Sequence, residues 1–179
     1  QQFPVNGVVE VIFQTGNPVA IVCTQTCGSN VETKTCTGNL PTNFDLPTNY
    51  IGSCYYFGTS REGAGGPLFI GVYGTVSISQ PVQSPKQTAT ADTTIPVSLS
   101  ITPANPDVTF TVQLDCGIAG VSPAIAPYSG AESSINFLIP FNFFGSDCVF
   151  SLIDLPEHYT AQSPSTVTIN VVNAKSPTG

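Results

Sequence analysis

The chain has 179 residues, with 4 Lys and Arg, 11 Asp and Glu, one His and a net charge of −7. Phosphate recognition needs clustered Lys and Arg, so this balance excludes nucleic acid and anionic membranes as partners. No run approaches the roughly 18 consecutive apolar residues of a transmembrane helix, so no membrane span is expected.

Charged residues make up 8% of the chain, against about 25% in an average soluble domain, while the apolar share is 41%. The surface is therefore covered by Thr, Ser, Asn, Gln and backbone, which do not titrate and do not repel copies of themselves. Six Cys, no Met, no Trp and a start at Gln1-Gln2 lead us to expect a processed, secreted, extracellular chain with oxidised thiols. No Asn lies in an Asn-x-Ser/Thr sequon.

In chain order, Val8 to Gln14 predicts a strand, Gly16-Asn17-Pro18 a turn, and Val19 to Gln25 a second strand carrying Cys23. Leu68 to Ile78 is expected as the last strand of this first half. Ser79 to Thr94 is polar and free of aromatic residues, as in a semi-extended linker or an edge strand running on from Ile78. Pro96 to Ile101, Val108 to Cys116, Cys148 to Ile153 and Thr166 to Val172 are the strands expected beyond it. Val108, Phe110, Val112 and Leu114 alternate, and Cys116 shares their face. Pro and Gly number 16 each and no long window has helical spacing. Short β-branched runs at intervals of roughly ten residues describe an all-β sandwich.

A pattern occurs twice. Asn43, Phe44, Pro47, Asn49, Tyr50, Gly52, Ser53 and Cys54 return as Asn136, Phe137, Pro140, Asn142, Phe143, Gly145, Ser146 and Cys148. Cys23 and Cys116 precede the two copies at nearly equal distance. The chain is thus expected to be one domain duplicated: 1–80, a linker at 81–94, and 95–179. Domains this small bury only roughly 60 to 65% of their unfolded surface, which makes a covalent staple in each core useful. Six Cys allow fifteen connectivities.

Strand, cysteine, variable middle, cysteine strand and final Val/Ile/Thr strand together resemble the immunoglobulin-like sandwich. The buried Trp of that family is absent, which points to a related topology outside the antibody superfamily. In the family the cysteines pair across the core between opposite sheets. The resemblance and the duplication together imply two tandem disulfide-stapled immunoglobulin-like β-sandwiches with Cys23–Cys54 and Cys116–Cys148 bonds. Cys27 and Cys36, which have no counterpart in the second half, would brace a small exposed loop.

Little points to chemistry. His158 lies in Asp154-Leu155-Pro156-Glu157-His158-Tyr159 and is expected as a solvated loop residue. Carboxylates such as Asp92, Asp107 and Asp115 are scattered singly, so no metal, cofactor or catalytic set is assigned. The aromatics Tyr50, Tyr55, Tyr56, Phe57, Phe137, Phe141, Phe143, Phe144 and Phe150 are expected mostly in cores, the remainder forming a sugar-stacking or subunit-contact patch. The sequence thus predicts a non-enzymatic cell-surface structural protein that self-assembles into a filament or sheath. An apolar segment, with Val5, Val8, Val9, Val11, Ile12 and Phe13, would be donated to a neighbouring sheet. In type this resembles the donor-strand filament subunits of archaeal and bacterial surfaces. The alternative is a soluble carbohydrate-binding or adhesive module, with a glycan as partner.

Overall fold

The computed structural model describes residues 1–60, 63–64, 68–118, 122–140 and 147–173. Among these the protein is all-β. It divides into two compact units, Gln1–Gly74 and Thr75–Gly179.

The first unit contains β1 (Gln2–Pro4), β2 (Val8–Ile12), β3 (Ala20–Cys27), β4 (Asn30–Thr37), β5 (Pro41–Asp45), β6 (Gly52–Ser60), β7 (Gly63–Ala64) and the first part of β8 (Leu68–Gln80). One sheet runs β4-β3-β6-β8, with β1 parallel to β8 and the short β7 on β6; the other consists of β2 and β5. Alternation decides the inner faces. Val9 and Val11 of β2 and Phe44 of β5 share one core with Ile21, Cys23 and Cys27 of β3, Cys54 and Tyr56 of β6, and Ile70 and Val72 of β8.

The second unit repeats the plan. It contains Thr75–Gln80 of β8, then β9 (Thr88–Thr90), β10 (Thr94–Thr102), β11 (Thr109–Asp115), β12 (Ala124–Ser129), β13 (Ile135–Leu138), β14 (Asp147–Ile153), β15 (Tyr159–Ala161) and β16 (Thr166–Val172). The larger sheet runs β12-β11-β14-β16-β9, with β9 parallel to β16 just as β1 is to β8. The other sheet runs β13-β10-β8, with β15 also on β8. Each unit is a disulfide-braced immunoglobulin-like sandwich.

The repeated motif has one structural meaning in both units. Phe44 packs on Tyr56 with centroids 5.4 Å apart, and Phe137 packs on Phe150 at 5.3 Å, joining the two layers each time. Leu46 and Ile139, two residues after those phenylalanines, are buried and donate their N–H to Gly7 O and Thr93 O. The later part of the second copy, with Asn142, Phe143, Gly145 and Ser146, together with Phe141 and Phe144, lies outside the described residues.

Three expectations are corrected. The first concerns cysteine pairing: the bonds are Cys23–Cys36, Cys27–Cys54 and Cys116–Cys148. Antiparallel register explains this. Cys27 lies directly opposite Cys54, with Cα atoms 4.3 Å apart, whereas Cys23 lies opposite Gly58. Four residues along a strand is about 13 Å, well beyond the reach of a disulfide. Cys27 and Cys36 bound no small exposed loop, since β3 and β4 form a hairpin turning at Gly28-Ser29, with Cys27 opposite Asn30 and Cys36 opposite Ile21. Gly28 takes a φ of 60°, which such a turn needs. All three bonds join neighbouring strands of one sheet and none crosses the core.

Second, the boundary falls inside β8 and not after residue 80, and 81–94 is no free linker. It supplies β9, buries Ala89 and Ala91, and ties Ala91 N to Val172 O at 2.9 Å. Third, the segment expected to be donated is used within its own unit. Val8 to Ile12 pair with Asp45 to Pro41, and Val9, Val11 and Phe13 are buried in the unit's core. Val5, just before β2, is half-buried.

Non-reducing peptide mapping should recover Cys23–Cys36 and Cys27–Cys54 peptides and no Cys23–Cys54 peptide. The Cys27→Ser, Cys54→Ser double variant should lose roughly 3 to 4 kcal/mol of stability in urea titration, from a bond spanning 27 residues.

Candidate docking surfaces

The outer face of the larger sheet in the first unit is built by strand alternation from Thr, Val and aromatic residues. Register places Val31, Thr26, Tyr55 and Phe69 in one row across β4, β3, β6 and β8. The next row holds Thr33, Thr24 and Phe57, with the Thr24 and Thr33 hydroxyls 3.4 Å apart. Val22 and Thr35 follow. None of these side chains is a Lys, Arg, His, Asp or Glu. Val31 and Phe69 are 64% and 63% exposed, Val22 50% and Tyr55 43%, and the rings of Tyr55 and Phe69 lie 5.9 Å apart. Among the described residues Tyr55 is the exposed member of the aromatic cluster expected from the sequence, and Phe69 joins it from outside that set, while Tyr56, Phe137 and Phe150 are buried and Tyr50 and Phe57 are half-buried.

Beneath the face lies the one buried polar side chain among the described residues, Gln25. Its amide N–H donates to Asp45 O at 2.9 Å, and its carbonyl accepts the Tyr56 hydroxyl at 2.6 Å. The larger sheet is thus bound to β5 through the core. Burial, and secondarily the negative charge of Glu32, raises the Tyr56 phenol well above its ordinary range. In the second unit a buried tyrosine does comparable work. A register shift between Ser98 and Leu99 accompanies a hydrogen bond from Leu99 N to the Tyr128 hydroxyl, which itself donates to Glu132 O at 3.0 Å.

Edges differ in their cover. At β5, Lys34 of β4 donates to Asn43 O at 2.7 Å, sits 4.4 Å over the Phe44 ring and pairs with Glu32 at 3.2 Å. Beyond β2 no strand lies among the described residues, and Val8 and Ile12 are 54% and 46% exposed.

The residues considered for chemistry do not converge. His158 follows Glu157 in a turn closed by Tyr159 N to Pro156 O, with φ 62° and its Nε2 3.6 Å from the Glu157 carboxylate. It is more enclosed than expected for a solvated loop residue, at 21% side-chain exposure. Asp115 accepts Gly117 N at 2.8 Å, and among the described residues no three His, Cys, Asp or Glu side chains are grouped so as to hold a metal ion. A cavity of 150 Å³ lies beside Cys116, lined mainly by Leu114, Ile118, Pro123, Ala124, Leu138 and Pro140. Among the described residues Asp115 is its one ionisable lining residue, which offers no acid-base pair.

No protein-family model matches the sequence, and no curated protein matches it either. Several solved structures are similar in chain trace. The N-terminal four immunoglobulin domains of Dscam1 isoform 6.9 match with a TM-score of 0.43 at 7% identity, over 97% of this chain and 43% of that one. The fibronectin(III)-like modules of Clostridium thermocellum CbhA match at 0.37 and 13% identity, over 100% and 93%. Chicken CNTN1 FN1-FN3 domains match at 0.37 and 11%, over 96% and 65%. At these scores the likeness says nothing about ligand or partner.

Tyr56→Phe leaves the Gln25 carbonyl buried without its donor and should cost about 1 to 3 kcal/mol in urea titration. The raised phenol also sets a pH dependence. Folding favours the protonated phenol, so its contribution is complete below the unfolded value of about 10 and is lost as pH rises beyond it towards the folded value. Thermal midpoints followed from pH 8 upward should therefore fall in the alkaline range, and less steeply in Tyr56→Phe.

Proposed function

We propose that the chain is a non-enzymatic, extracellular structural protein whose copies assemble into a surface filament or sheath, with strand addition among the contacts between them. The broad uncharged outer face around Val22, Val31, Tyr55 and Phe69 is the observation that carries this. Copies packed through such a face bury apolar area without placing like charges together. Three disulfides, with no free cysteine among the described residues, suit an oxidising exterior.

The Tyr55 and Phe69 pair also favours a second reading, stacking against a neutral glycan. Electron microscopy and sedimentation velocity on native material separate the two. Assembly is expected in the wild type and should be lost in Val31→Lys, Phe69→Lys, which puts charges on the face while changing stability by no more than about 0.5 kcal/mol per exposed site. A monodisperse wild-type monomer at high concentration that binds glycan through Tyr55 would overturn the assembly and leave the glycan module.

A further inference from the structure

The two units differ at one edge, and the difference names a site. In the second unit β10 is covered twice: Thr94 to Val97 pair with β13, and Ser98 to Thr102 pair with Gln80 to Thr75 of β8. That covering strand carries Val76 and Ile78, both essentially fully buried. With Val9 opposite Phe44 and Ile95 opposite Phe137, β2 is the counterpart of β10, and residues 12–16 correspond to 98–102. Here β2 ends at Ile12, and nothing among the described residues takes the place of β8.

The backbone at this edge is laid out for a partner. Gly7 O accepts Leu46 N, Phe13 O accepts Asn39 N, and Thr15 N donates to Asn39 Oδ1, so odd-numbered residues turn their polar groups towards the β5 side. By strand alternation Val8, Glu10, Ile12 and Gln14 direct theirs away from it. All four are exposed.

We infer that the outer edge of Val8 to Gln14 is an acceptor for an added strand, an uncharged extended segment of alternating apolar residues supplied by a second copy of this chain. The segment expected to be donated is thereby the receiving one. Residues 75–80, Thr-Val-Ser-Ile-Ser-Gln, are the occupied version of the same site. They also identify the source, since β8 passes from one unit into the sheet of the next, and a second copy adds one more unit to the series. This rests on the assembly proposed above.

Gln14→Pro tests it, because it removes an N–H directed away from β5 and none of the β2–β5 hydrogen bonds. Its circular dichroism and thermal midpoint should match the wild type. Ile12→Lys, Gln14→Lys, which keeps every backbone donor, stands in if the proline variant fails to fold. Both variants should fail to polymerise alone, and in substoichiometric amounts should shorten wild-type polymers, since each can donate but not accept. The synthetic peptide of residues 75–80 in excess should slow wild-type growth and bind neither variant. Polymers of both variants indistinguishable from wild type would overturn the acceptor edge and leave assembly standing. A wild-type chain that stays monomeric would overturn assembly and the second copy as source; peptide binding to wild type alone would then still support the edge.

Discussion

The antiparallel register of β3 against β6 is the constraint on which the first unit depends. Its inner face is a ladder of rungs. Cys27 meets Cys54, Gln25 meets Tyr56, and Cys23 meets Gly58. The first rung is covalent, the second is the polar link that continues to Asp45 O, and the third leaves room where a side chain is missing. A Cβ on Gly58 would come within 2.7 Å of the Phe13 ring, so that ring occupies the space and brings the end of β2 down onto the sheet. A slip by one residue turns all three rungs to the outside and the Thr and aromatic residues of the outer face inward. Register therefore fixes the core and the exposed face together. In the second unit the same relation sets Leu114 opposite Phe150, with Phe150 against Phe137.

How much of this was legible in the sequence depends on which residues carry local information. The all-β class, the duplication and the strand at Thr166 to Val172 follow from alternation and from the Asn-Phe motif, because each inner position must be apolar whatever its partner is. Disulfide pairing is different. Equal spacing along the chain singled out Cys23, but strand pairing makes Cys27 the counterpart of Cys116, since the hairpin from β3 to β4 carries residues that the separation in sequence cannot apportion. The polar stretch 81–94 misled for a related reason: three residues of β9 beside β16 suffice to fix it, and Ala89 and Ala91 bury without a hydrophobic run to announce them. The outer face was half visible. Exposed aromatics were expected, but only register aligns Tyr55 with Phe69 and both with Val31.

The second layer of the first unit has two strands, and a two-stranded sheet has little stability of its own in water. It is held from three sides. Phe44 is packed on Tyr56, Asp45 O is bound by Gln25, and Asn43 O is bound by Lys34, so consecutive residues of β5 are fastened to the larger sheet. The attachment is concentrated on β5. Beta-sheet edges that must stay single are protected by Lys, Pro or a covering segment. Lys34 serves β5 in that way by donating to Asn43 O, and Pro127 interrupts the donors of β12. The edge of β2 presents Val8 and Ile12 around a single carboxylate, Glu10, with neither Lys nor Pro. In the second unit the equivalent edge is paired to β8, and the two residues this contributes to the core are apolar. An edge guarded poorly in one copy of a fold and filled in the other is the kind that the added strand proposed above would complete, because exposed apolar side chains beside free backbone groups favour pairing on both counts.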